Sequence, residues 1–154
     1  MTPFQLGALI LTVTTIGIAW TRGGHPERLG ACAVLIWITT TTITPDSLHS
    51  IRVADISVLE VALEFTLLVV LVRMALTGRR WWPFAAAAVT ALGVMVYGAQ
   101  LLIPEVDRRA EISAHVGLGL ALDLTILAGV VERWLAGERP ASLSAVWARR
   151  QHET

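Results

Sequence analysis

Five long apolar stretches separated by short polar connections constrain this chain more than any other feature of its sequence. They cover residues 4–20, 29–44, 53–76, 83–103 and 110–136. A helix that crosses a bilayer needs about 20 apolar residues, with a range of about 17–25, because it rises only about 1.5 Å per residue. The last three stretches meet this length, the first just reaches it, and the second is short. The pattern predicts an all-α, polytopic transmembrane helix bundle with five spans, or four in the alternative.

The second stretch decides between five spans and four. It ends in a run of threonines at positions 39–42. A threonine in a helix can donate its hydroxyl hydrogen bond to a carbonyl one turn back, so such a run is compatible with a helix in lipid. In the four-span alternative this stretch is re-entrant or lies at the membrane interface.

The composition excludes an ordinary soluble domain. Charged residues make up 16% of the chain, hydrophobic residues 55%, and the mean hydropathy is +0.64. Soluble domains carry about 25% charged residues. The net charge is zero and no long basic cluster occurs, so no nucleic-acid partner is expected. The single cysteine, Cys32, excludes an internal disulfide and any cysteine-based metal cluster. The partner that the composition predicts is the lipid bilayer.

The arginines predict an orientation. With five spans, nine arginines fall on the side of the C-terminal tail: Arg22, Arg28, Arg73, Arg79, Arg80, Arg133, Arg139, Arg149 and Arg150. Three fall on the other side: Arg52, Arg108 and Arg109. Cytoplasmic loops carry the excess of basic residues. We therefore expect the N-terminus outside and the C-terminus in the cytoplasm, in a bacterial inner (plasma) membrane.

Tryptophans and the tail agree with this orientation. Indole rings favour the membrane interface, and four of them fall at the ends assigned to the cytoplasm: Trp20, Trp81, Trp82 and Trp134. Residues 1–139 then form the bundle. Residues 140–154 form a cytoplasmic tail in which apolar residues and arginines alternate at helical spacing. This spacing predicts a short amphipathic helix on the cytoplasmic leaflet, with a disordered tail as the alternative.

Ionisable residues inside the apolar stretches are the candidates for a functional site. A charge in the centre of a bilayer costs roughly 2.5–3.5 kcal/mol on the insertion scale. Glu60 and Glu64 lie one turn apart in the third stretch, with Glu64 about 18 Å from the outer end. Two carboxylates this close in a low dielectric do not ionise together easily. Such a pair can bind a cation, carry a proton or hydrogen-bond a polar ligand. In the alternative, each carboxylate pairs with a neighbouring helix and fixes the packing.

The other candidates lie in the fourth and fifth stretches. Tyr97 and Gln100 belong to a polar stripe of the fourth stretch. His115 and Asp123 lie about 80° apart around the fifth helix, so they need not face one pocket. Most of these residues fall in the predicted outer half of the membrane, which predicts a polar cavity open to the outside. The candidate metal ligands are Glu60, Glu64 and His115, and the pattern identifies no cofactor.

The layout also resembles a group of known proteins. Trp37 in the second stretch, the acidic third stretch and His115 in the fifth are similar to the layout of small uncharacterised multi-pass inner-membrane proteins of proteobacteria. The resemblance implies a membrane-embedded helix bundle. It implies no activity and no site.

Three classes of function are compatible with the sequence. A non-enzymatic subunit or accessory factor of a membrane assembly is the first, because the loops are short and no nucleotide-binding or catalytic motif occurs. For the same reason an enzyme is not favoured. The second is a small oligomeric transporter or channel for protons, cations or a solute, which would use Glu60 and Glu64. The third is a membrane redox or metal-binding protein that would use His115. Possible protein partners are a second copy of the chain or other subunits of a membrane complex.

Overall fold

The computed structural model describes residues 3–43, 52–53, 56–78, 80–102 and 108–137. These residues contain five helices: α1 (Pro3–Arg22), α2 (His25–Ile43), α3 (Val58–Thr77), α4 (Trp82–Leu102) and α5 (Arg108–Leu135). Two short antiparallel strands, β1 (Arg52–Val53) and β2 (Ile56–Ser57), precede α3. Apart from this strand pair, the described part of the chain is all-helical, as the apolar stretches predict. The predicted amphipathic segment 140–154 lies outside the described residues.

Two helices begin at residues that the apolar pattern does not predict. Helix α2 begins four residues earlier, at His25. A proline is tolerated in a first helical turn, where its missing N–H is not needed, and Pro26 lies there. The Glu27 carboxylate also accepts a hydrogen bond from the Gly24 N–H at 2.7 Å, as in a capping box. Helix α3 begins five residues later, because Val53 pairs with Ile56 in the strand ladder.

The five helices form a closed ring. Each helix packs against its neighbour in the chain, α5 also packs against α1, and α2 makes a further contact with α5 across the ring. The Trp82 indole lies against both Gly30 and Gly129. The starts of α2 and α4 therefore meet the last turns of α5 at one end of the bundle, here called the Trp82 end. Helices that are consecutive in the chain are thus antiparallel.

Much of the interior is filled by apolar side chains, and much of the outer surface is apolar as well. The buried apolar residues form one cluster: Ala19, Ala31, Val34, Leu67, Leu71, Trp82, Ala86, Ala87, Leu122, Ile126 and Val130. Every helix also exposes large apolar side chains, among them Ile10, Ile36, Phe65, Met95 and Leu124. Exposure of this many large apolar side chains is unfavourable in water.

Two helices are long and apolar enough to cross a membrane. They are α4 and the segment Ile112–Leu135 of α5. The apolar part of α1, Leu6–Arg22, is shorter. Helix α3 has 20 residues and is therefore nearly as long as α4, but three of its residues are charged: Glu60, Glu64 and Arg73. The same carboxylates that make α3 a candidate for function therefore make it a less apolar helix.

The structure differs from the sequence prediction at one tryptophan. Trp20, Trp81 and Trp134 are exposed at the surface of the bundle. Trp82 is 0% exposed and belongs to the apolar cluster. The physical reason is that two glycines leave room for its indole inside the helix ring.

Candidate functional site

A cavity of about 90 Å³ lies inside the helix ring, and all five helices contribute to its wall. Its polar wall consists of Thr12, Trp37, Glu64, Thr90, His115 and Asp123. The rest of the wall is formed by Val34, Ile38, Leu67, Val89, Leu118, Gly119 and Leu122. A water molecule occupies about 30 Å³ in the liquid, so the cavity has room for at least about three of them.

Glu64 is the buried carboxylate of this wall that has no hydrogen-bond partner within the described residues. Its side chain comes from the second turn of α3 and is 8% exposed. Electrostatic interactions reach it from His115 and Glu60, but none of the described side chains or N–H groups donates a hydrogen bond to it. Buried polar groups are normally paired, since an unpaired one costs about 1–3 kcal/mol. Glu64 therefore has free acceptor capacity toward the cavity.

Gly93 of α4 provides the space that the Glu64 carboxylate occupies. The carboxylate lies so close to the Gly93 backbone that a methyl group on Gly93 would collide with Oε1. Because any side chain at position 93 would displace it, the position of Glu64 depends on this glycine.

Asp123 supplies the second carboxylate, from the middle of α5. It is 3% exposed, and its Oδ2 accepts a hydrogen bond from the Thr12 hydroxyl of α1 at 2.5 Å. The sequence left open whether Asp123 and His115 face one pocket. Both line the cavity, because α5 contacts α1, α2 and α4 and so turns a broad face toward the interior of the ring.

His115 is held against Tyr97. Their ring centroids lie 4.5 Å apart with the planes inclined by 46°. Tyr97 is buried and comes from α4, whereas His115 comes from α5 and reaches the cavity wall. Tyr97 is not part of that wall, so its contribution is to support the imidazole of His115.

The remaining candidates lie outside the cavity wall. Glu60 is partly exposed and lies one turn from Glu64, away from the Trp82 end. Gln100 is partly buried, and its Oε1 has no hydrogen-bond partner among the described residues. Of the six residues singled out from the sequence, the structure brings Glu64, His115 and Asp123 to one wall. Thr12 was missed, because a threonine in an apolar helix carries no signal until its partner on another helix is known.

The described residues contain no group of three His, Cys, Asp or Glu side chains that could hold a metal ion. Glu60, Glu64 and His115 therefore do not form such a group there.

A second buried polar cluster, which the sequence did not predict, closes the Trp82 end. Glu27 of α2 is 0% exposed. Its Oε1 accepts a hydrogen bond from the Trp82 Nε1–H at 3.2 Å, and its Oε2 lies 3.9 Å from Arg133 Nη1. A second ion pair, Arg80–Glu132 at 3.6 Å, lies closer to solvent. Unlike Glu64, Glu27 has both a hydrogen-bond donor and an ion-pair partner, which offset the cost of burying its carboxylate.

The two polar regions are separated by apolar packing. Asp123 and Arg133 are about 15 Å apart along α5 by the helical rise. The buried side chains of Leu71, Ala86 and Ile126 belong to the cluster between them. The cavity therefore lies toward the end of the bundle opposite Trp82, and the Glu27 cluster is not part of its wall.

Comparisons with known proteins find no relative. No family model matches the chain, and neither a curated protein nor a solved structure does.

Proposed function

We propose that this protein is a five-span integral membrane protein that binds a proton or a small cation at Glu64, as a small transporter or channel does. The observation that carries the proposal is a buried carboxylate without a hydrogen-bond partner among the described residues, placed on the wall of a cavity. Carboxylates inside a membrane are costly to keep and commonly belong to ion or proton pathways.

The surface and the arginines support the membrane placement and its orientation. All five helices expose large apolar side chains, and two are long and apolar enough to span a bilayer. The nine-to-three distribution of arginines between the two sides favours an outer N-terminus and a cytoplasmic C-terminus. In this orientation the Trp82 end faces the cytoplasm of a bacterial inner membrane, and the cavity lies nearer the outer side.

The charges around the cavity favour a positive ligand. Its described wall carries the carboxylates of Glu64 and Asp123, one imidazole, that of His115, and no arginine, and the chain contains no lysine. Asp123 already accepts a hydrogen bond from Thr12, whereas Glu64 accepts none among the described residues. A proton or a cation at Glu64 would remove the cost of an unpaired buried carboxylate. An anion would increase it.

The second candidate is the accessory-subunit role, and a different observation favours it. Four glycines of α1, α4 and α5 that are not part of the cavity wall have no atom within 4 Å of where a Cβ would lie: Gly7, Gly17, Gly98 and Gly117. Small residues on a helix surface let a helix of another protein approach closely in a membrane. A second copy of the chain or another membrane protein could pack there.

Flux measurements on reconstituted protein test the first candidate. The purified chain is inserted into liposomes that contain a pH-sensitive dye, and gradients of protons or of monovalent cations are imposed. We expect the wild-type protein to dissipate a gradient and Glu64→Gln to abolish this activity. Glu60→Gln is the matched control one turn away, because Glu60 is not part of the cavity wall.

The unfolding temperature of each variant shows whether it has folded. If folded wild-type protein moves no ion or proton, or if folded Glu64→Gln moves as much as wild type, the transport proposal is wrong. A partner that co-purifies in stoichiometric amount would then favour the subunit role.

A further inference from the structure

We propose that the ligand of the cavity is a small organic ammonium ion, whose charge pairs with Glu64 and whose carbon atoms contact the apolar wall. This inference rests on the proposed function, in which Glu64 binds a positive ligand. It goes further by naming the chemical class of that ligand.

The apolar part of the wall argues against an inorganic cation. Six aliphatic side chains line the cavity: Val34, Ile38, Leu67, Val89, Leu118 and Leu122. A cation such as Ca²⁺ or Mg²⁺ takes about six or more oxygen ligands and gives up its own water reluctantly. In contact with these aliphatic side chains, such a cation would lose bound water molecules and gain too few oxygen ligands in their place. An alkylammonium ion needs only one charged partner and gains from contact with the aliphatic groups.

The oxygen atoms of the wall lead to the same conclusion. The Asp123 carboxylate accepts the Thr12 hydroxyl, and the Thr90 hydroxyl donates to the Ala86 carbonyl of its own helix at 3.0 Å. Glu64 is therefore the carboxylate with the most free acceptor capacity among the described wall residues. One such carboxylate can accept hydrogen bonds from the two or three N–H donors of a secondary or primary ammonium group.

Trp37 adds an aromatic surface to the same wall. Organic cations are attracted to indole by the electrostatics of the ring, and tryptophan is the strongest partner of this kind. The ligand is small, because the cavity volume is about 90 Å³. Methylammonium and dimethylammonium are the probes that match this chemistry, and tetraethylammonium is the larger comparison.

Binding to the purified chain in detergent tests the inference. Calorimetric titration with methylammonium and dimethylammonium chloride is compared with sodium, potassium and magnesium chloride at matched ionic strength. We expect saturable binding of the two ammonium ions, weaker binding of tetraethylammonium and no saturable binding of the metal ions. Removing one partner of a buried charge pair should weaken binding roughly 30-fold or more, so Glu64→Gln should show a loss of at least about this size.

A pair of glycines gives a second test that leaves every carboxylate in place. Gly119 lies on the cavity wall and Gly117 does not, and both have open space where a side chain would begin. Gly119→Leu should therefore obstruct the cavity and abolish ammonium binding. Gly117→Leu, on the same helix, should bind as wild type does. This pair remains informative if Glu64→Gln fails to fold.

The outcomes separate this inference from the proposed function. Glu64-dependent proton flux, or saturable binding of sodium or potassium, without any binding of ammonium ions would overturn the ammonium inference and leave the proposed function intact. Absence of both flux and binding in folded protein would overturn both. Ammonium binding that is equal in Gly119→Leu and wild type would show that the ligand does not occupy this cavity.

Discussion

Replacing Gly129 with alanine should destabilise the protein strongly, although alanine is the better helix former. A methyl group at position 129 would lie 2.5 Å from Cδ1, 2.7 Å from Cγ and 2.9 Å from Nε1 of Trp82. The indole cannot move away, because it also lies against Gly30, where a methyl group would be 2.8 Å from Cη2. Its Nε1–H donates to the buried Glu27 carboxylate, so any shift of the ring also strains that hydrogen bond.

The magnitude follows from these contacts. Overpacking a well-packed interior costs about 1–3 kcal/mol. A hydrogen bond to a charged group contributes about 1.5–3 kcal/mol. Alanine regains about 1 kcal/mol of helix propensity over glycine. The free energy of unfolding should therefore fall by about 1.5–5 kcal/mol. Gly117→Ala in the same helix meets no neighbouring atom, so it should leave stability unchanged or raise it by up to about 1 kcal/mol.

Thermal unfolding of the purified variants in detergent, followed by circular dichroism, measures the difference. A Trp82→Ala background provides the decisive control. With the indole removed, the methyl group at position 129 has room, so Gly129→Ala should add little further cost in that background. An equal loss of stability in both backgrounds, or no loss in the wild-type background, would refute the assignment of the cost to Trp82.

Two further changes test the cavity wall. Gly93→Ala should displace the Glu64 carboxylate, because the new methyl group would collide with it. This variant should therefore lose cation binding or flux. Gly98→Ala, which meets no atom within 4 Å, should retain both, and equal effects of the two variants would contradict the geometry. Thr12→Val should lower the free energy of unfolding by about 1–3 kcal/mol, because it leaves the Asp123 carboxylate without its donor. Thr14→Val is its control in a thermal unfolding series, because the Thr14 hydroxyl bonds an exposed carbonyl of its own helix.

The sequence predicted the helices well and their contacts poorly. All five apolar stretches are helical over most of their length, because hydrophobicity along a segment is a local property. The start of α3 was misplaced, since a strand pair depends on how two short segments meet. For the site, Glu64 stood out as a carboxylate within an apolar segment. Its partnership with Gly93 was not predictable, because it depends on the rotation of α3 against α4.

Trp82 and Glu27 show most clearly what only the tertiary structure decided. The sequence alone predicts that Trp82 lies at the membrane interface and that Glu27 lies in the connection before the second apolar stretch. Both are 0% exposed, because packing brings together Gly30, Gly129 and Arg133 from distant parts of the chain. Composition along the chain determined that the protein is a bundle of apolar helices carrying a few costly charges. Which charges become paired, and which one is left facing a cavity, was decided by how the helices are rotated when they close into a ring.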